Sequence, residues 1–443
     1  METDVHKNVM TRRAALRLGL SGAALMAVSH PALAQLQITV SGGNFTPMPI
    51  AVPDFASGDA SFGAEVAQVV RNNLTGSGLF RLVDPAGYPQ RVGSPNQTPD
   101  FPSWRTTGAD AVVMGEVNRA GQIQSSLRLW DTTAGAQVTG KSYGTDANSW
   151  RRIAHMASDA IYTGLTGETG YFDSRVVFVA ESGPKANRVK RLAIMDQDGA
   201  NVRYLTDGSL PAITPRLSPN GQMVAYMVLD GPNSSGIYIL NLATGQTQSL
   251  GRFGQMSFAP RFSPDGRRLA FSVTQGAATN VYALDLAGGQ PIGLTTGAAI
   301  DTSPSYSPDG QRLVFESDRG GRPQIYAMSA AGGGAERISF GNGSYSTPVW
   351  SPKGDLIAFT RQSGGQFSIG VMAPDGSGER ILATSYHAEG PTWAPNGRVI
   401  MFFRDPGGNE GPQLYSIDVW GRNERRIATE GFASDPAWGP LLS

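Results

Sequence analysis

Leu217-Ser-Pro-Asn-Gly221, Phe262-Ser-Pro-Asp-Gly266, Tyr306-Ser-Pro-Asp-Gly310, Trp350-Ser-Pro-Lys-Gly354 and Trp393-Ala-Pro-Asn-Gly397 decide the fold of this 443-residue chain. A sixth copy, Trp438-Gly-Pro440, is cut short by the chain end. The motif prolines stand at 219, 264, 308, 352, 395 and 440, a period near 44. A second ladder, Pro215, Pro260, Pro304, Pro348, Pro391 and Pro436, runs four residues upstream in the same phase. Proline at the second position of a turn sets φ near about −65°, Asp or Asn tolerates the next position, and Gly accepts the left-handed conformation that ends it.

A short apolar strand follows each turn: Met223–Met227, Leu269–Ser272, Leu313–Phe315, Leu356–Thr360 and Val399–Phe402. A third strand comes next, at Gly236–Leu240, Asn280–Leu284, Gln324–Met328, Ser368–Met372 and Gln413–Ile417, and Gly-containing turns lead to a fourth, as at Gln290–Leu294 and Glu379–Leu382. Four strands in about 44 residues make a propeller blade. The alternation has the period of strands, which excludes helical repeats. The Trp-Asp dipeptide of another propeller type occurs once, at Trp130-Asp131, outside the array.

The ends of the array predict how the ring closes. Arg175–Ala180, Arg191–Met195 and Asn201–Leu205 read as second, third and fourth strands without a first, and Asp435–Pro440 reads as a first strand with nothing after it. Joined, they complete a sixth blade and remove the open edges that make β arrays aggregate. The expected fold is two-domain: a small mixed α/β N-terminal domain followed by a six-bladed all-β propeller closed by the C-terminal strand. The domain limits read from the sequence are 1–34 for an export signal, 35–170 for the α/β domain and 171–443 for the propeller.

Composition agrees with a turn-rich exported protein. The chain holds 56 Gly and 29 Pro, only 16% charged residues, and no Cys. Without Cys there is no disulfide, thiolate nucleophile or Cys-ligated metal. A formal net charge of zero argues against a nucleic-acid protein. Arg12-Arg13, the apolar run Leu18 to Val28 and Ala32-Leu33-Ala34 before Gln35 have the order of a signal peptide. The paired arginines also fit a twin-arginine signal, and both routes end in export. No later apolar run reaches membrane-spanning length, so no direct membrane span is expected.

Between the leader and the array, Gln37–Val40, Ile50–Val52, Leu79–Val83, Ala111–Val117, Ile123–Trp130 and Gln137–Tyr143 read as strands. Phe62, Val66, Val69, Val70 and Leu74 recur at helical spacing, with Ser61 as candidate N-cap and Gly76 or Gly78 as the stop. A second helix is expected from about Ser149 to Leu165, followed by a linker at Gly167 to Gly170.

Catalytic chemistry finds no foothold. Past the leader only His155 and His387 remain; the first reads as a structural helix residue, the second as a loop residue. There is no dinucleotide fingerprint in residues 35–443. Gly135-Ala-Gln-Val-Thr-Gly140-Lys141-Ser142 matches the phosphate-loop pattern but lies between strand-like segments, where a β-hairpin is expected instead. Asp196-Gln-Asp198-Gly199 resembles the start of a calcium loop, yet Asp207 stands where the closing Glu belongs, so a turn is expected. The reading is no enzyme, no catalytic residue, no metal and no cofactor.

What remains is a rigid disk whose loops surround one mouth of a central channel. The loops entering each first strand are Asp207–Thr214, Phe253–Ala259, Gly297–Ser303, Gly341–Thr347, Ser385–Gly390 and Thr429–Asp435. Their aromatic, Met and polar side chains suit protein contact. The candidate partner-binding residues are Met256, Ala259, Asp301, Thr302, Ser303, Tyr345, His387 and Glu389.

An export signal, a small α/β domain and six blades with Ser-Pro-Asp-Gly turns together resemble the TolB family, periplasmic components of the Tol–Pal system. The resemblance covers essentially all of residues 35–443. It implies a non-enzymatic role, with the peptidoglycan-associated lipoprotein Pal bound at the propeller mouth. The loops before Pro260 and Pro304, with Met256, Ala259, Thr302 and Ser303, would take part. It also implies that the mature N-terminal segment, about Gln35–Phe45 with Gln35, Leu36, Gln37, Ile38, Thr39 and Val40, engages TolA. Other Tol or outer-membrane proteins are further expected partners; nucleic acid is not. The implied process is outer-membrane integrity and cell division in the periplasm. The alternatives are an exported carbohydrate-binding propeller and a propeller-gated hydrolase.

Overall fold

A computed structural model describes residues 46–408 and 410–442. The leader and the segment Gln35–Val40 lie outside the described residues.

The N-terminal domain is built on five strands. They are β1 (Met48–Ala51), β3 (Phe80–Leu82), β5 (Ala111–Ala120), β6 (Gln122–Asp131) and β7 (Ala136–Asp146), in sheet order β3-β1-β5-β6-β7. β1 runs parallel to β3 and β5, whereas β5, β6 and β7 form an antiparallel meander. Helices α1 (Ala60–Gly76) and α3 (Trp150–Thr166) cover one face, where Val66, Val70, Ile153 and Ile161 meet Val113, Leu127 and Leu129. The cap of α1 is Asp59, two residues before the expected Ser61: its Oδ1 accepts from the Ser61 and Phe62 N–H groups at 3.0 and 3.3 Å. A carboxylate there also complements the helix dipole. The predicted stops hold: α1 ends at Gly76 with Gly78 at φ 74°, and Gly167 at φ 70° closes α3.

The opposite face of the sheet carries elements that no periodicity announced. Short α2 (Phe101–Thr106) and the parallel pair β2 (Asp54–Phe55) and β4 (Val92–Gly93) enclose Trp104, Tyr88 and Met114. The phosphate-loop look-alike is the β6–β7 hairpin, as expected: Asp131 Oδ1 accepts from Thr133 and Ala134 N–H at 2.8 Å, and Gly135 adopts φ 65°.

Six four-stranded antiparallel sheets follow. Blade 1 has the C-terminal strand Phe432–Leu441 innermost, paired with Ser174–Ser182 and then Val189–Asp196 and Arg203–Tyr204. The inner strands of blades 2 to 6 are Ala212–Leu217, Met256–Phe262, Asp301–Tyr306, Ser344–Trp350 and Ala388–Trp393. The Ser-Pro-Asp-Gly turns repeat one geometry. In blades 3 and 4 the serine Oγ donates to the aspartate at 2.5 Å and accepts the N–H five residues on at 2.9 Å. The glycine, at φ 70° or 71°, donates its N–H back to the serine carbonyl at 2.9 Å.

These turns also tie the blades together. A Cβ on Gly266, Gly310 or Gly354 would touch the turn proline of the preceding blade, Pro219, Pro264 or Pro308, at 3.7, 3.7 and 3.2 Å. Gly221 would meet Pro440 at 3.3 Å, so the same contact closes the ring. Trp438 completes the seal: its backbone N–H donates to Thr392 Oγ1 at 3.0 Å and its indole N–H to Ser174 Oγ at 2.8 Å.

Candidate functional site

The two rims of the disk differ. The N-terminal domain sits against the rim that carries the Ser-Pro-Asp-Gly turns. There Glu168 accepts from Arg398 Nε at 2.7 Å and from Lys353 at 3.3 Å, and Asn396 donates to the Thr169 carbonyl at 3.1 Å. Asn423 donates to the Gly76 carbonyl at 2.7 Å, and Gln197 to Asn73 Oδ1 at 3.0 Å. Antiparallel strands put the loops entering each inner strand on the other rim, away from these contacts.

His155 lies in the domain seam. It is 2% exposed; the Asn73 amide donates to its Nδ1 at 2.9 Å, and its Nε2 lies 3.6 Å from Asp196 Oδ2. Its Nε2, Asp196 and Asp198 come close enough to share a cation. Arg151 pairs with both aspartates, however, and supplies the positive charge itself. The Asp196–Gly199 stretch is the expected turn, with the Gly199 N–H donating to the Asp196 carbonyl at 3.0 Å.

On the free rim every inner strand carries a β-bulge just before its upstream proline. The residue preceding that proline is left-handed in all six blades: Thr214, Ala259, Ser303, Thr347, Gly390 and Asp435, with φ between 47° and 66°. Five are not glycine, and Thr214 and Thr347 are β-branched, so the ring stores backbone strain. A bulge re-aims the following side chains. Here it lines a mouth cavity of about 160 Å³ with the residues around each upstream proline.

The structure sorts the candidate contacts into three groups. Ala259, Ser303 and Glu389 line the mouth cavity together with Asp435. Met256, Thr302 and His387 are partly buried and are not among its lining residues. Thr302 Oγ1 donates to Glu316 at 3.2 Å, and His387 Nε2 lies 3.3 Å from Glu389 Oε2. That bond raises the His387 pKa, while burial pushes Glu316 up to about 7. Asp301 and Tyr345 are wholly buried. Asp301 pairs with Arg319 at 2.9 Å, and the Tyr345 hydroxyl, pushed up to about 12 by burial and then by its acceptor, donates to Glu379 at 2.8 Å.

Other side chains supply exposed apolar surface on this rim, among them Leu210, Ile300, Phe340 and Tyr386, at 47, 47, 70 and 70% exposure. Leu210, Ile300 and Tyr386 fall inside loops named from the sequence, and Phe340 immediately precedes one. Hydrophobicity alone did not separate Tyr345, which faces inward from a strand, from Tyr386, which stands on a loop.

A family model described as the TolB beta propeller domain matches residues 162–442, and one described as the TolB amino-terminal domain matches 36–138. The crystal structure of TolB from Acinetobacter baumannii superposes with a TM-score of 0.81 at 27% identity, covering 89% of this chain and 97% of its own. Two further neighbours share the fold alone. A nidogen/laminin complex chain has a TM-score of 0.51 at 8% identity over 61% of this chain and 100% of its own. A chain of Kuenenia stuttgartiensis hydrazine synthase has 0.50 at 14% over 60% of this chain and 46% of its own.

Proposed function

The chain belongs to the TolB family, and from that premise we propose that it is a non-enzymatic, periplasmic binding protein whose propeller mouth docks Pal. The observation that carries the reading is the free rim. Leu210, Ile300, Phe340 and Tyr386 stand exposed on loops around the mouth, while the N-terminal domain occupies the opposite rim. Exposed apolar side chains grouped on one rigid surface mark a protein contact. In this reading residues 1–34 are removed on export and Gln35–Val40, leading into the domain that ends near 170, engages TolA. The propeller, 171–443, then presents Ala259, Ser303 and Glu389 to Pal, with Met256, Thr302 and His387 behind them. Asp301 and Tyr345 support the rim from within. The role is a link in outer-membrane integrity and cell division. No helix among the described residues is long and apolar enough to cross a membrane.

The test is calorimetric titration of the chain from Gln35 with the soluble domain of Pal. Saturable micromolar binding that Ile300→Asp abolishes is the expected result. No heat at tens of micromolar, from a chain with a native β-rich circular dichroism spectrum, would refute the reading.

A further inference from the structure

The bulged inner strands place one residue after each upstream proline at the same level of the tunnel: Arg216, Arg261, Ser305, Val349, Thr392 and Ala437. Four are small or medium, and two of these tie neighbouring blades. Ser305 Oγ accepts from the Trp350 N–H at 3.1 Å, and Thr392 Oγ1 from the Trp438 N–H. The adjacent blades 2 and 3 supply arginines instead. Both arginines line the mouth cavity and also a larger cavity of about 370 Å³ at the turn end of the tunnel. They stand where the two meet.

Their charges are poorly answered. Arg216 Nη1 donates to the carbonyl of its own neighbour, Pro215, at 2.6 Å. Arg261 Nε is buried and has no partner. Neither takes part in an ion pair among the described residues. Burial, joined by the repulsion of Arg216, holds the Arg261 pKa well below its ordinary value; burial also lowers Arg216, against the pull of Asp435 in the mouth cavity. The turn-end cavity, by contrast, has no carboxylate in its lining. Its walls are the turn prolines and aromatic rings such as Phe262, Trp350 and Trp393. Two enclosed guanidinium groups with no directly paired counter-ion, answered only at a distance by Asp435, are costly, and their planar donor forks match a carboxylate or phosphate.

We propose that Arg216 and Arg261 form an oxyanion site inside the tunnel, which takes a small organic carboxylate or phosphate. The charged head lies on the arginine pair and the apolar body lies against the proline and aromatic wall of the turn-end cavity. The arginine pair borders the docking mouth from its inner side, but the ligand lies in the turn-end cavity and its binding is read without Pal.

Phenyl phosphate is the probe, titrated into the chain from Gln35 at constant ionic strength with chloride as the background anion. Saturable binding is expected, with inorganic phosphate about tenfold weaker for want of an apolar body. The Arg216→Gln/Arg261→Gln variant loses the response, and Arg261→Lys, which keeps charge without the fork, retains a weakened one. Removing two repelling charges leaves the double variant folded. Crystals soaked in 4-bromophenyl phosphate give a second readout, an anomalous bromine peak in the turn-end cavity. Unchanged binding in the double variant, equal binding of the two phosphates, or a bromine peak absent from that cavity would overturn the proposal.

Discussion

Replacing Trp438 by Phe tests how the ring is closed. Trp438 is 8% exposed on the last strand, and its indole N–H reaches Ser174 on the first strand of the array. Phenylalanine forfeits about 60 Å² of buried ring, worth about 1.5 kcal/mol at the usual coefficient. The lost hydrogen bond adds about 1 kcal/mol. Part of this returns, because the Ser174 hydroxyl still donates to the Tyr171 carbonyl at 2.6 Å and loses only an accepted bond. The expected cost is about 2 kcal/mol. Trp350 is the control: it is equally buried, but its indole N–H donates at 3.2 Å to the Gly354 carbonyl in a turn, where water can substitute. Trp350→Phe should cost about 1 kcal/mol less than Trp438→Phe. Urea unfolding followed by far-ultraviolet circular dichroism gives both values. Limited proteolysis should cut Trp438→Phe first, near 430, as strand Phe432–Leu441 detaches. If Trp438→Phe proves no costlier than Trp350→Phe, the closing hydrogen bond does not contribute as argued.

The remaining predictions concern the rim, the turns and pH. Phe340 and Tyr386, each 70% exposed, could each bury about 140 Å² against a partner. Changing both to Asp should therefore weaken Pal at least about thirtyfold by calorimetry without moving the unfolding midpoint; a loss under threefold would discount these anchors. Gly310→Ala puts a Cβ in ordinary contact with Pro264 but at φ 71°, so its cost is the left-handed strain, about 1 kcal/mol; a neutral result in urea unfolding would contradict the turn geometry. Burial raises Glu316 to about 7 and Asp159 to about 6, the latter despite N–H bonds from Phe172 and Asp173. Acids raised in this way oppose folding above their folded pKa, and the penalty lifts as pH falls toward their ordinary values near about 4. His387, raised by its bond to Glu389, adds stability below its ordinary pKa that is lost as pH rises past the raised one. All three act in one direction. Calorimetric unfolding should show a higher midpoint at about pH 5 than at about pH 8, with a shallower slope in Glu316→Gln. A flat profile in the parent chain would count against buried carboxyls as the cause.

The candidate site was half legible. Ala259, Ser303 and Glu389 were placed at the mouth because their position in the repeat is fixed by the proline two residues or fewer downstream. Asp301 and Tyr345 fall in equivalent stretches read from the sequence as loops but stand on inner strands and turn inward, each toward a partner that only folding brings near: Arg319 on the connection after the second strand of blade 4, and Glu379 at the outer strand of blade 5. Phe340 and Tyr386 gave no signal apart from other aromatics, since exposure depends on the neighbouring blade.

Local, short-range constraints are what the sequence determined alone. Each Ser-Pro-Asp-Gly turn is specified within four residues by a fixed proline φ and a glycine that accepts positive φ. Five such turns, in phase with a sixth proline at Pro440, therefore set the blade count, the strand order and the joining of the last strand to the first. Side-chain pairing across long separations belongs to the tertiary structure. Asp196 and Asp198 meet His155 and Arg151 only because the domains pack along one seam, and Arg216 meets Arg261 only because adjacent blades bulge at the same level of one tunnel. A turn is a local minimum that its own residues select. A buried charge is defined by everything that encloses it, and no stretch of sequence contains that enclosure.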